Sequence, residues 1–384
     1  MRRMTATAVM DGVGWKGARL SRLERSESAT MTSEELASLT STLRFPGEFF
    51  RTPPVSRVEP DQLSFRAPKS TTESEKNRMA QFMALAGDFL LELDSRHALP
   101  PVRLSIPVER TDTAAAAAHA RTCLGIAVDE PIGDLTHQLE RSGVPVILRG
   151  ERFGGQPGAD TGRLEKHLGC STWVGEFRER PLVVMRELDS WERTRWTLAH
   201  ELGHLMLHTD VGALTEDHEE QANRFASEFL APFAMVAPMV ANTPSLLNLL
   251  AVKQKWGISL GALLRHFHES GGMDSGRYDM LRKQLYTRIN ADTGFTWGRT
   301  EPGWDDRVTE RPRLVSKWIE FGFGVTNPDA LAAQQLIWPP DVVAEFLVGQ
   351  RRSPSTVARA GQSATLAPAR EGVADFAAYR RRRA

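Results

Sequence analysis

The stretch Trp196-Thr197-Leu198-Ala199-His200-Glu201-Leu202-Gly203-His204-Leu205-Met206-Leu207-His208 places His-Glu-x-x-His inside an apolar run. On a helix, residues four apart share a face, so His200 and His204 point the same way one turn apart. Two imidazoles at that spacing can chelate one Zn2+, and Glu201 stands beside them as a proton acceptor. A Lewis-acidic metal with a neighbouring carboxylate suits amide hydrolysis. The bland alternative is a core helix with incidental histidines. Leu198, Ala199, Leu202, Leu205 and Met206 fit a buried helix under either reading. His208 extends the stripe, but it lies about 12 Å beyond His200 along a straight helix axis, too far to share one ion with it. It reads as a helix-end residue that orients a ligand.

A catalytic zinc usually takes three protein ligands and leaves one position open. In the next segment, residues 216–230, Ala222, Phe225, Ala226, Phe229 and Leu230 recur at helical spacing and mark an inward face. Glu219 precedes Ala222 by three and lies on that face. An inward carboxylate is costly unless it binds something, which makes Glu219 the candidate third ligand. Glu220 and His218 are the alternatives, and an acid favoured by the helix dipole is the structural reading of Glu219. Asn223, one turn past Glu219, is a further candidate for orienting the ligands.

These two segments, residues 197–208 and 219–232, resemble the ImmA/IrrE family of metallo-endopeptidases. The likeness extends over roughly residues 100–300. The resemblance implies zinc held by His200, His204 and Glu219, with Glu201 as the base. It implies a bacterial protein substrate of the repressor or antitoxin type. Where the family often ends its second motif Leu-Met-Pro, this chain has Leu230-Ala231-Pro232, a departure that touches no ligand.

Length and composition set the frame. A chain of 384 residues has room for two or three domains, and 41% hydrophobic with 25% charged residues is ordinary for a globular protein. Formal net charge is zero, so an anionic partner must be met by a local patch. The two cysteines, Cys123 and Cys170, exclude a disulfide framework and suit a reducing cytoplasm. No apolar run reaches about 20 residues, so no membrane partner is expected. Arg2 and Arg3 lead no long apolar core, unlike a secretory signal.

Residues 1–52 resemble a lambda-repressor/Cro-like (Xre-type) helix-turn-helix that lacks its first helix. Its second helix falls near residues 5–12, the turn at Gly14 and the recognition helix at 16–25. Lys16, Arg19, Arg22 and Arg25 against Glu24 give that stretch a net +3, which suits phosphates, and Lys16, Arg19 and Arg22 are the candidate DNA contacts. Residues 53–99 read as a proline-containing linker followed by a helix whose start, Thr72-Glu73-Ser74-Glu75, has capping-box spacing.

Residues 100–240 form the expected zinc domain. It has helices near 114–128 and 132–141, a strand near 143–148, and paired strands near 170–174 and 181–185 leading into the zinc helix. An exposed edge of that sheet is suited to holding an extended peptide. Residues 241–350 read as a helical C-terminal region, mixed beyond residue 300, and 351–384 as a disordered, basic tail. The expected fold is α+β: a mostly helical, zincin-like domain with a small sheet. The expected function is a zinc endopeptidase. The rival reading is a DNA-binding transcriptional regulator whose zinc domain senses rather than cuts.

Overall fold

The computed structural model describes residues 4–26, 30–63, 72–107, 109–149, 168–188, 190–240, 243–304, 306–324 and 337–347. The tail expected to be disordered, 351–384, lies outside the described residues.

The domain is mostly helical around a three-stranded sheet of order β1-β3-β2. Strand β1 (Val146–Arg149) runs parallel to β3 (Arg180–Arg186), with Val146 opposite Val183. Strand β2 (Gly169–Val174) runs antiparallel to β3, with Cys170 opposite Val184. Alternate residues therefore face opposite sides. Val146, Leu148, Val183 and Met185 enter one apolar core, while Ile147, Cys170, Val174, Leu182 and Val184 enter the other.

The first core holds the helices that carry the site. Helix α7 (Trp191–Leu207) starts at Ser190, whose hydroxyl accepts the Arg193 N–H. Its last two turns are buried all round, the pattern of a core helix rather than a surface one. Helix α8 (Glu216–Leu230) starts in a reciprocal cap, with Thr215 and His218 each bonding the other's backbone N–H. Before them come α5 (Thr113–Cys123) and α6 (Leu135–Arg141); after them come α10 (Leu246–Trp256), α11 (Leu260–Glu269) and α12 (Ser275–Thr287). Between α8 and α10 a short α9 (Phe233–Val236) follows Pro232.

The second core lies on the sheet's other face. It joins α4 (Glu73–Arg96), α13 (Leu314–Phe323) and α14 (Pro340–Leu347). Thr72 and Glu75 form the capping box that the sequence predicts for α4. Phe89 stacks on Phe346 at 5.1 Å, and Trp338 lies edge-on to Phe49 and Phe89. Beyond residue 300 the described elements are the helices α13 and α14.

The N-terminal residues form three short helices, α1 (Ala6–Val13), α2 (Arg19–Arg25) and α3 (Ser33–Leu43), closed over Val9, Trp15 and Leu39. Gly14 caps α1 with a left-handed φ of 77°. Arg19 is half-buried and tied to this bundle: its guanidinium donates to Glu35 and to the Thr30 carbonyl. Lys16 and Arg22 are exposed.

Candidate metal centre

Helix geometry brings the first two candidate ligands together. His200 and His204 sit one turn apart on α7, and their Nε2 atoms are 3.1 Å apart. Glu219, in the first turn of α8, completes the group. Its Oε2 is 3.4 Å from His200 Nε2 and its Oε1 is 3.4 Å from His204 Nε2. The ligand atoms of these three residues all lie within 4.8 Å of one another, and no other such cluster occurs among the described residues. Glu220 points away and pairs with Arg265 at 3.7 Å. His218 is spent on the α8 cap, its Nδ1 accepting the Thr215 N–H.

Close packing of α7 on α8 is what lets Glu219 reach. A Cβ on Gly203 would stand 3.0 Å from Phe225 Cδ1 and 3.3 Å from Ala222 Cα, so glycine permits the approach. The donor set is two imidazoles and one carboxylate, a set that suits zinc. Its chemistry fits a cation in a second way. Two ring nitrogens 3.1 Å apart beside a carboxylate gather three possible ligand atoms at one point.

Burial would raise the Glu219 carboxyl, but its contacts with the His200 and His204 rings outweigh it and hold the group well below the ordinary carboxylate range. Burial pushes His204 down to about 4 and His208 down to about 4, so both rings are neutral, the form that binds metal.

Glu201 is 2% exposed and is not part of the three-ligand cluster. Strand β2 holds it. Gly169, Ser171 and Trp173 are the alternate residues of β2 that face α7. Ser171 Oγ lies 2.8 Å from Glu201 Oε2 and 3.0 Å from the Glu201 carbonyl, and Trp173 Nε1 donates to the Leu205 carbonyl at 3.1 Å. At Gly169 a Cβ would meet Glu201 Oε1 at 2.8 Å, so the strand passes this close only without a side chain.

His208 ends α7 and lies 3.0 Å from His204, Nδ1 to Nδ1. Asn223 is buried one turn beyond Glu219, and its Oδ1 has no hydrogen-bond partner among the described residues. Beside the centre a cleft is lined by Gln62, Thr172, Trp173, Arg178, His204 and His208.

Sequence reasoning missed Gly169, Ser171, Gly203 and Gln221. The alternation of β2 holds the signal for Ser171, but which of its two faces meets α7 is set by tertiary packing.

Fold and site together define a mostly helical α+β domain of zincin-like build. Residues 162–268 match the family model Peptidase_M78, the IrrE N-terminal-like domain. This match supports the ImmA/IrrE metallopeptidase family for the region that holds α7 and α8. No curated protein matches the chain. Among the described residues no helix is long and apolar enough to cross a membrane.

Proposed function

We propose that this chain is a zinc-dependent endopeptidase that cleaves a regulatory protein of the repressor or antitoxin type. The observation that carries the reading is the convergence of His200, His204 and Glu219 within 4.8 Å, with Glu201, next to His200 in the chain, outside that set and bonded by Ser171. Zn2+ bound by the three ligands supplies a Lewis acid that polarises a carbonyl and acidifies water.

The chain's own residues do the rest. Glu201 accepts the proton of the attacking water and passes it to the leaving amine. Ser171 fixes the carboxylate by donating to Oε2, which limits the orientations the base must search. Strand β2 is one of the two edge strands of the described sheet, and its Thr172 and Trp173 line the same cleft as His204, which suits an extended substrate backbone. The repressor or antitoxin class comes from the family resemblance.

The test compares the purified wild type with Glu201→Gln, each incubated with repressor- or antitoxin-type proteins encoded beside its gene. Fragments are read by mass spectrometry and bound zinc by atomic spectrometry. Zinc retained with cleavage lost supports the reading. Cleavage that survives Glu201→Gln removes Glu201 as the base.

A further inference from the structure

A chain of three side chains runs from the candidate metal centre to helix α8. His204 Nδ1 lies 3.0 Å from His208 Nδ1, and His208 Nε2 lies 3.1 Å from Gln221 Oε1. His208 is 8% exposed and His204 5%, and the contact between the two rings is buried.

Each step in this chain has one consistent proton assignment. A carboxamide oxygen only accepts, so His208 Nε2 carries the hydrogen it donates to Gln221. A neutral imidazole has one N–H, which leaves His208 Nδ1 as an acceptor. The hydrogen between the two rings therefore belongs to His204 Nδ1. That leaves the lone pair of His204 on Nε2, the atom that faces His200 Nε2 and Glu219.

We infer that His208 and Gln221 are positioning residues that lock His204 in the tautomer able to bind a metal through Nε2. The inference rests on the metal-centre reading above. Gln221 sits two residues after Glu219 on α8, so the element that supplies the third ligand also sets the tautomer of the second. The outer nitrogen of a ligating histidine is commonly fixed by such a partner, and losing the partner typically weakens metal binding 10- to 100-fold.

Three full-length variants test this: His208→Phe, Gln221→Leu and Gln221→Glu. Zinc affinity is measured by competition with a chromophoric chelator. The tautomer of His204 is read from the ring-nitrogen NMR shifts of the zinc-free protein. His208→Phe is expected to raise the zinc Kd roughly 10- to 100-fold and to move part of the His204 hydrogen from Nδ1 to Nε2. Gln221→Leu should do the same to a smaller degree, and Gln221→Glu, which keeps the acceptor, should restore wild-type behaviour.

A purely packing role would leave the tautomer unchanged and would not be rescued by glutamate. Unchanged affinity and tautomer in Gln221→Leu overturn the inference, as does a wild-type His204 that carries its hydrogen on Nε2. The Gln221 pair decides the matter even if His208→Phe fails to fold. A wild type that takes up no zinc sinks the metal reading instead, while the zinc-free tautomer still reports on the chain.

Discussion

Replacing Arg195 by methionine should be among the most damaging single changes outside the metal centre. Its side chain is fully buried and that of Glu310 is 5% exposed, with Nη1 2.7 Å from Oε1. The same guanidinium donates to three backbone carbonyls, of Ile132, Gly133 and Gly257, at 2.9, 2.6 and 3.3 Å, and it lies 4.5 Å from the Trp191 ring. Methionine fills most of the volume but leaves the Glu310 charge buried without a counter-ion, which costs roughly 3–5 kcal/mol. The Glu310→Gln change removes that charge and keeps an acceptor for the Thr136 N–H, which bonds Glu310 Oε2 at 2.9 Å. The double variant should therefore recover about 2 kcal/mol relative to the sum of the singles. Equilibrium urea unfolding followed by tryptophan fluorescence measures all four states, with Trp191 as a local reporter. A loss below about 1 kcal/mol for Arg195→Met, or strict additivity in the double variant, would refute the reasoning.

Two further predictions concern the sheet side of the site and a distant buried acid. Gly169→Ala puts a methyl 2.8 Å from Glu201 Oε1 and 3.0 Å from Thr197 Cγ2, so the base must move by a few tenths of an ångström. Peptide cleavage should fall about 10- to 100-fold with zinc content unchanged, and a wild-type rate would show that Glu201 is not held by this contact. Burial pushes the Glu140 carboxyl up to about 8 from 4.5, against backbone N–H groups of Arg313 and Leu314 that pull it down. Between those values the folded state keeps a proton that the unfolded chain has released, so stability should decline as pH rises from about 4.5 to about 8. Melting temperatures across that range should flatten in Glu140→Gln, and parallel curves for the two proteins would contradict the assignment.

The cluster of candidate ligands was legible because each residue rests on helical periodicity. His200 and His204 follow from a four-residue interval, and Glu219 from its place on an apolar stripe. Glu219 could be ranked above Glu220 because about 100° per residue separates neighbours on a helix. The support of Glu201 was not legible, since it depends on which face of β2 meets α7. Nor was the role of Glu310 and Trp338 visible. Glu310 meets Arg195 across 115 positions of sequence, and Trp338 joins Phe49 and Phe89. Such contacts leave no local period. Arg19 shows the opposite failure: a cation that reads as a free phosphate contact is tied to Glu35 by a contact sixteen residues away.

The most direct measurement is the metal content of the purified full chain, wild type beside Glu219→Gln and Glu220→Gln. Glu219 faces both histidine nitrogens, whereas Glu220 pairs with Arg265. About one zinc per chain in the wild type and in Glu220→Gln, lost in Glu219→Gln, is the expected result. A wild type without zinc after metal-replete expression, or a Glu219→Gln variant that keeps it, would contradict the metal centre described here.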